Sequence, residues 1–259
     1  MIDTHAHLNP ISLNPSLTRG TYEEEIPGDF RIDGLEYVIL SGANIETSKS
    51  NIGLAETNKK LLAAVGIHPQ DVGENSEKDI LILENLLKKN KNIVAVGECG
   101  LEFIEPYNKE LQIKFFEAQI ALAKQYNKPL IIHARKAIEE VFDILRGSKT
   151  RGVIHCYSAG KKRVQKLLNL GKDWYFGIDG NVTYEVGLAE VVRAIPHDRL
   201  LAETDSPELT PLPFRGQKNF PENVKYVYRK ISEIWEMDFE ETEKILDENA
   251  RRLFQIKSL

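Results

Sequence analysis

Short apolar or β-branched runs alternate along the chain with longer stretches whose apolar residues recur every three or four positions. Eight runs read as strands: residues 1–7, 37–42, 62–68, 93–99, 129–135, 152–157, 174–178 and 200–205. Between them, helical spacing is clearest over 107–126, where Leu111, Phe115, Ala118, Leu122 and Tyr126 share a face. Residues 79–89, 138–146, 161–170, 184–194, 221–236 and 239–254 follow the same rule. Strand–helix alternation predicts a parallel sheet with helices outside it. Eight repeats predict closure into a TIM-like (β/α)8 barrel. The segment 8–36 breaks the pattern with Pro10, Pro15, Gly20, Pro27, Gly28 and Gly34, so it is expected to be mostly loop with at best one short helix.

The chain is 259 residues long, the size of one such barrel (typically about 250 residues), so one domain over 1–259 is expected. Lys plus Arg number 34 against 39 Asp plus Glu, a formal charge of −5. A general nucleic-acid coat needs a broad basic surface to displace counterions, so that class is excluded; a local basic patch is not. Two cysteines make no disulfide framework and fit a reducing compartment. No apolar run approaches the roughly 18 residues of a membrane span. Met1 leads straight into IDTHAH without a basic and apolar leader, so a cytoplasmic, membrane-free protein with no obligatory protein partner is expected.

The candidate chemistry lies at strand ends. His5 and His7, two apart on one strand, point to the same side with Cβ atoms roughly 6.5–7 Å apart, a spacing that suits two imidazoles on one ion. Two satisfied polar residues would give the same HxH. Recurrence separates the readings. Glu98 ends 93–98 with Val94 and Val96 on its face, and His133, His155 and Asp205 end three further runs. All sit where barrel enzymes place their active sites, and four imidazoles and two carboxylates from five strands can satisfy one another around metal ions. His68 also faces inward, as a further ligand, a substrate hydrogen-bond donor or a ring packed on Pro69; substrate contact is the reading taken. His197 falls in a loop at the opposite face and is expected to be solvated. Cys99 and Cys156 each follow a candidate ligand, so alternation turns both into the strand–helix core.

Taken together, DTHAH, AVGIHP, GECGLE, IIHAR, IHCYS, ETDSP and ENARRLF run in one order over essentially the whole chain. In this the chain resembles the TatD family of metal-dependent deoxyribonucleases, within the amidohydrolase-like barrels. The resemblance implies a two-metal site, with His5, His7, Glu98 and Asp205 at the first ion, His133 and His155 at the second, and Glu98 bridging. It also implies phosphodiester hydrolysis in DNA, of a 3′ exonuclease type. Two loops depart from the family pattern: Glu102 stands where GLDY or GLDF has Asp, and Phe220 stands where RGxxNEP has Glu.

Two ions of this kind acidify a water and clamp a phosphate, and Asp205, beside that water, is the candidate to take its proton. Glu203, one layer deeper on the same face, is expected either to orient a ligand histidine or to be a buried carboxylate with a basic partner. Arg135 and Arg215 are candidate phosphate contacts. Lys161, Lys162, Arg163 and Lys166 either guide a strand or form a solvated helix face. Imidazole donors suit Zn, Mn or Fe and Mg prefers oxygen, but the family resemblance keeps Mg open, so the two divalent ions are Zn, Mn, Fe or Mg. Two rival readings are an esterase, lactonase or aminoacyl-tRNA deacylase on the same barrel, and a non-catalytic barrel that binds nucleic acid or protein.

Overall fold

The computed structural model describes residues 1–7, 31–73 and 76–257. Its strands are β1 (Ile2–Ala6), β2 (Tyr37–Leu40), β3 (Leu61–Val65), β4 (Ile93–Glu102), β5 (Leu130–Arg135), β6 (Gly152–Ile154), β7 (Trp174–Ile178) and β8 (Leu200–Ala202). They pair in chain order and every pair is parallel. Closure of the ring occurs just past β8. There Ala6 bridges Ser206, Asp205 N–H donates to His5 O (2.9 Å) and His7 N–H donates to Ser206 O (2.7 Å). Around the sheet lie α1 (Ile45–Thr57), α2 (Ser76–Lys89), α3 (Lys109–Gln125), α4 (Ile138–Leu145), α5 (Val164–Leu168), α6 (Val186–Ala194), α7 (Val224–Trp235) and α8 (Phe239–Phe254). The chain is a (β/α)8 barrel. Among the described residues no helix is long and apolar enough to cross a membrane.

Alternation sorts the core into two layers. Ile2, Ile39, Ala64, Ile131, Val153 and Leu201 pack together inside the barrel, joined by Ala250, Leu253 and Phe254 from α8. Val38, Leu40, Val65, Ile132, Ile154 and Ala202 face outward to the helices. The expected phase fails in β4. Val96 belongs to the outer layer and Ala95 to the inner one, so Val96 does not share the face of Glu98; the β4–β5 register shifts between Val96 and Cys99. Strands β6 and β8 are shorter than the sequence runs, because Cys156 (φ 45°) and Asp205 (φ 54°) adopt left-handed backbone that cannot continue a ladder.

Helix α1 has no counterpart among the predicted helices. It begins with a capping box in which Thr47 N–H donates to Asn44 Oδ1 and Asn44 N–H donates to Thr47 Oγ1, both at 3.0 Å. Its buried residues mix Ser48, Asn51 and Gly53 with Ile52, Leu54 and Ala55, so the apolar positions do not recur at helical spacing. Residues 8–30 of the predicted loop lie outside the described residues.

Candidate metal centre

Six side chains meet at the C-terminal mouth, and Glu98 stands between two groups of imidazoles. Its Oε2 lies 3.4 Å from His5 Nε2 and 3.2 Å from His7 Nε2, while its Oε1 lies 2.7 Å from His155 Nε2 and 2.9 Å from His133 Nδ1. Asp205 Oδ1 adds a fourth donor to the first group, 3.4 Å from His5 Nε2 and 3.5 Å from His7 Nε2; the two imidazole nitrogens are 3.0 Å apart. Donors 2.0–2.1 Å from a tetrahedral ion are separated by about 3.3 Å, so this group already has the dimensions of a cation cage. The second group holds three donors, Glu98 Oε1, His133 Nδ1 and His155 Nε2, with 3.2 Å between the two nitrogens. Three protein donors leave a coordination position open. The residues present therefore fit divalent ions.

The far side of each ring is also held. His7 Nδ1 lies 3.0 Å from the Ser41 carbonyl, which only accepts, so Nδ1 carries the proton and Nε2 is left for the centre; His5 Nδ1 is hydrogen-bonded to Ser41 Oγ at 3.1 Å. His133 Nε2 lies 2.8 Å from Glu102 Oε2, and Gln70 Nε2 donates to Glu102 Oε1 at 2.6 Å. Glu102 is buried between them. His155 Nδ1 has no hydrogen-bond partner, and Glu203 Oε1 stands 3.8 Å away while accepting from Cys156 N at 2.6 Å. His68, Glu102 and His133 also cluster closely enough to suggest another ion. However, His68 Nδ1 accepts from Gln70 N (3.2 Å), which puts its proton on Nε2, and His133 already turns Nδ1 to the centre. That cluster is a hydrogen-bonded brace.

Burial and charge compete at the centre. Burial would raise Glu98, but the charge on His155 and the hydrogen bond from His133 hold it well below the usual carboxylate range. Burial opposes protonation of His7 and His155, yet Glu98 and Asp205 lift His7 to about 10, and Glu98 leads the groups that lift His155 to about 9. Burial, with the His155 charge beside it, drops His5 to about 4. Without cations, then, protons on His7 and His155 neutralise the buried carboxylates. Cations would take the same places.

The TatD related DNase family model matches residues 2–255. The chain belongs to the TatD family. It is similar to the metal-dependent hydrolase YabD of Bacillus subtilis, 37% identical over 99% of both chains. It is also similar to the 3′-5′ ssDNA/RNA exonuclease TatD of Edwardsiella piscicida, 31% identical over 95% of this chain and 99% of that one. Among solved structures, the TatD homologue YjjV of Escherichia coli superposes with a TM-score of 0.83 at 26% identity, covering 99% and 98% of the two chains. As a TatD protein, the chain is a metal-dependent hydrolase.

The remaining sequence candidates divide by position. His68 Nε2 reaches Glu98 Oε1 at 3.5 Å, so its ring faces the centre. Arg135 is exposed, its Nη1 3.8 Å from Glu102 Oε1, and Arg215 lies in the loop after β8 over the Tyr184 ring at 4.0 Å. The basic stretch 161–166 is largely spent on ion pairs. Arg163 and Lys166 both hold Glu139 (2.6 and 2.7 Å) and Lys161 approaches Glu190 (3.7 Å), which favours the solvated-face reading. His197 is exposed and stacked on Trp235. Cys99 is buried in the outer core as expected, but Cys156 is not: its left-handed backbone turns Sγ towards Asp205 Oδ2, 3.6 Å away. Phe220 at the family's Glu position lies beneath the guanidinium of Arg31, 4.8 Å from the ring centre. Ser41, Gln70 and Glu102 escaped the sequence reading as supports, although Ser41 stands near the end of a predicted strand like the other site residues.

Proposed function

We propose that this TatD protein, acting as one unit over 1–259, hydrolyses phosphodiester bonds in DNA at a centre of two divalent cations, in the manner of a 3′-5′ exonuclease. The observation that carries the reading is Glu98, with one oxygen in each donor group. His5, His7, Glu98 and Asp205 would hold one cation; Glu98, His133 and His155 would hold the other. Imidazole donors favour Zn, Mn or Fe over Mg. Two such ions polarise a phosphoryl oxygen and acidify a water.

The protein's own part is positioning and proton transfer. Asp205 divides its oxygens, Oδ1 towards His5 and His7 and Oδ2 towards the Cys156 thiol, so one can bind a cation while the other receives the water proton. His68 offers an Nε2 proton to the substrate from its position beside Glu98. Arg135 and Arg215 are the phosphate contacts, and Glu203 supports His155 from behind. The relative named as an exonuclease supports the substrate class.

The test is turnover of end-labelled single- and double-stranded DNA beside RNA, an aminoacyl ester and a simple carboxylic ester. The protein is first stripped of metal and then supplied with Mn, Zn or Mg. DNA shortened one nucleotide at a time, and only with added cation, is expected. Ester turnover without DNA cleavage would assign the barrel to the esterase group, and binding without turnover would make it a non-catalytic barrel.

A further inference from the structure

Beside the centre, on the far side of Glu102, the loops after β3 and β4 and the start of α3 enclose a cavity of about 330 Å³. That is within the range of small-molecule sites, about 300–1,000 Å³. Pro69, Val72, Ile104, Pro106 and Tyr107 give it apolar walls. No Lys, Arg or His is among its described lining residues, whereas Glu102 and Glu105 are. An acidic cavity repels phosphate and accepts a neutral group. The same Glu102 carboxylate that receives His133 forms part of the wall, so an occupant sits one side chain from the centre.

The free polar atoms define what fits. Gln112 spends both amide ends on the Glu102 backbone (2.9 and 3.0 Å), so it only holds the wall. Gln70 gives its amide N–H to Glu102, which leaves Oε1 as an acceptor. Asn108 receives Leu111 N–H on Oδ1 (3.0 Å), which leaves its amide N–H₂ as a donor. Glu105 makes no ion pair or hydrogen bond among the described residues. Tyr107 is 38% exposed, with one ring face backed by Phe103 at 5.1 Å and 20°, which makes it a supported aromatic plate. An aromatic plate with one donor and a pair of acceptors matches the face and edge of a nucleobase.

We propose that this cavity receives the base and sugar of the terminal nucleotide when its phosphodiester lies at the centre. The proposal rests on the phosphodiesterase reading above. It adds a reason for acting at ends: a further phosphate beyond the bound nucleoside would be brought against Glu105.

Two measurements test it on the full chain. The first is an NMR titration of the metal-loaded protein with deoxyadenosine, and with deoxyribose 5-phosphate as the base-free control. Deoxyadenosine is expected to shift the Tyr107 and Asn108 resonances in the wild type and to leave Asn108 unmoved in Tyr107→Ala, and the control is expected to move neither in the wild type. The second is kinetic. Tyr107→Ala should raise KM by about fivefold to a hundredfold on an ordinary oligonucleotide, the range of one base–aromatic stack, and leave KM unchanged on an oligonucleotide with an abasic last position. Glu105→Lys should relieve the poor turnover expected of phosphate-ended strands. The proposal is overturned if deoxyadenosine moves neither resonance, or if Tyr107→Ala affects both oligonucleotides alike. If deoxyadenosine binds as expected but no oligonucleotide is cut, the cavity stands as a nucleoside site and the phosphodiesterase reading fails by itself.

Discussion

Glu102 reaches no cation in the proposed arrangement, yet removing it should unbalance the centre. Its Oε2 receives His133 at 2.8 Å and its Oε1 receives Gln70 at 2.6 Å, and the side chain is buried. Glu102→Ala leaves the Nε2 proton of His133 without an acceptor. The ring can then rotate, or move its proton to Nδ1, the nitrogen that faces Glu98 at 2.9 Å. Loss of such an outer partner costs about 10- to 100-fold in metal affinity, or about 1.4–2.7 kcal/mol. The loss should fall on the His133–His155 group alone, because His5 and His7 are held by Ser41. Competition between the stripped protein and a chromophoric chelator for Zn or Co would show one weakened and one unchanged binding step, and Glu102→Asp should recover part of the loss. Two unchanged steps, or two equally weakened ones in a variant that melts like wild type, would refute the brace.

Asp205→Asn retains one oxygen donor but no base. Cation content should hold while single-turnover cleavage falls about 10²–10⁴-fold, and a variant that regained full rate with excess metal would make Asp205 a ligand only. Glu98→Ala should lower occupancy of both groups in elemental analysis, and loss from one alone would refute the bridge. With His7 raised to about 10 and His155 to about 9, cation uptake at pH 7 must displace protons, and apparent affinity should climb towards pH 9. Calorimetry in two buffers of different ionisation enthalpy should count more than one proton released per chain. Burial lifts Asp3 from 3.8 to about 7 against its hydrogen bonds from Thr204 and His5 N. A raised folded pKa gives stability that is full below about pH 4 and lost as pH rises through 7. Urea midpoints of the cation-free protein should therefore show a loss of up to a few kcal/mol over that window, at about 1.4 kcal/mol per unit, and Asp3→Asn should reduce it, the remainder coming from the similarly raised Glu203 and Asp179.

The barrel is legible because most strands announce themselves twice, by an apolar run and by the polar residue that ends it. His5, His7, Glu98, His133, His155 and Asp205 could be named from that signature alone. Where backbone leaves the β region, alternation stops being a guide. Alternation turns Cys156 to the helix side only if the backbone is extended, and at φ 45° the side chain swings to Asp205 instead. Val96 fails for a related reason, the register shift ahead of Glu98. Helix α1 was invisible because Ser48 and Asn51 do the packing that periodicity expects of Leu or Val. Ser48 bonds both the N–H and the O of Gly66 (3.2 and 3.3 Å), and a Cβ on Gly66 would lie 2.5 Å from the Gly97 backbone. Supports such as Glu102 and Gln70 leave no periodic trace, since their role is fixed by a partner dozens of positions away.

The backbone bonds that close the ring, Asp205 N–H to His5 O and His7 N–H to Ser206 O, join the first strand to the last and are made by or beside the residues of the centre. During synthesis the first strand therefore emerges long before its closing partner, and its edge waits with unpaired amides until residues 205 and 206 leave the ribosome. Neither half of the chain carries a complete first donor group. A premature stop anywhere before 205 therefore removes the ring-closing backbone bonds and the Asp205 carboxylate together.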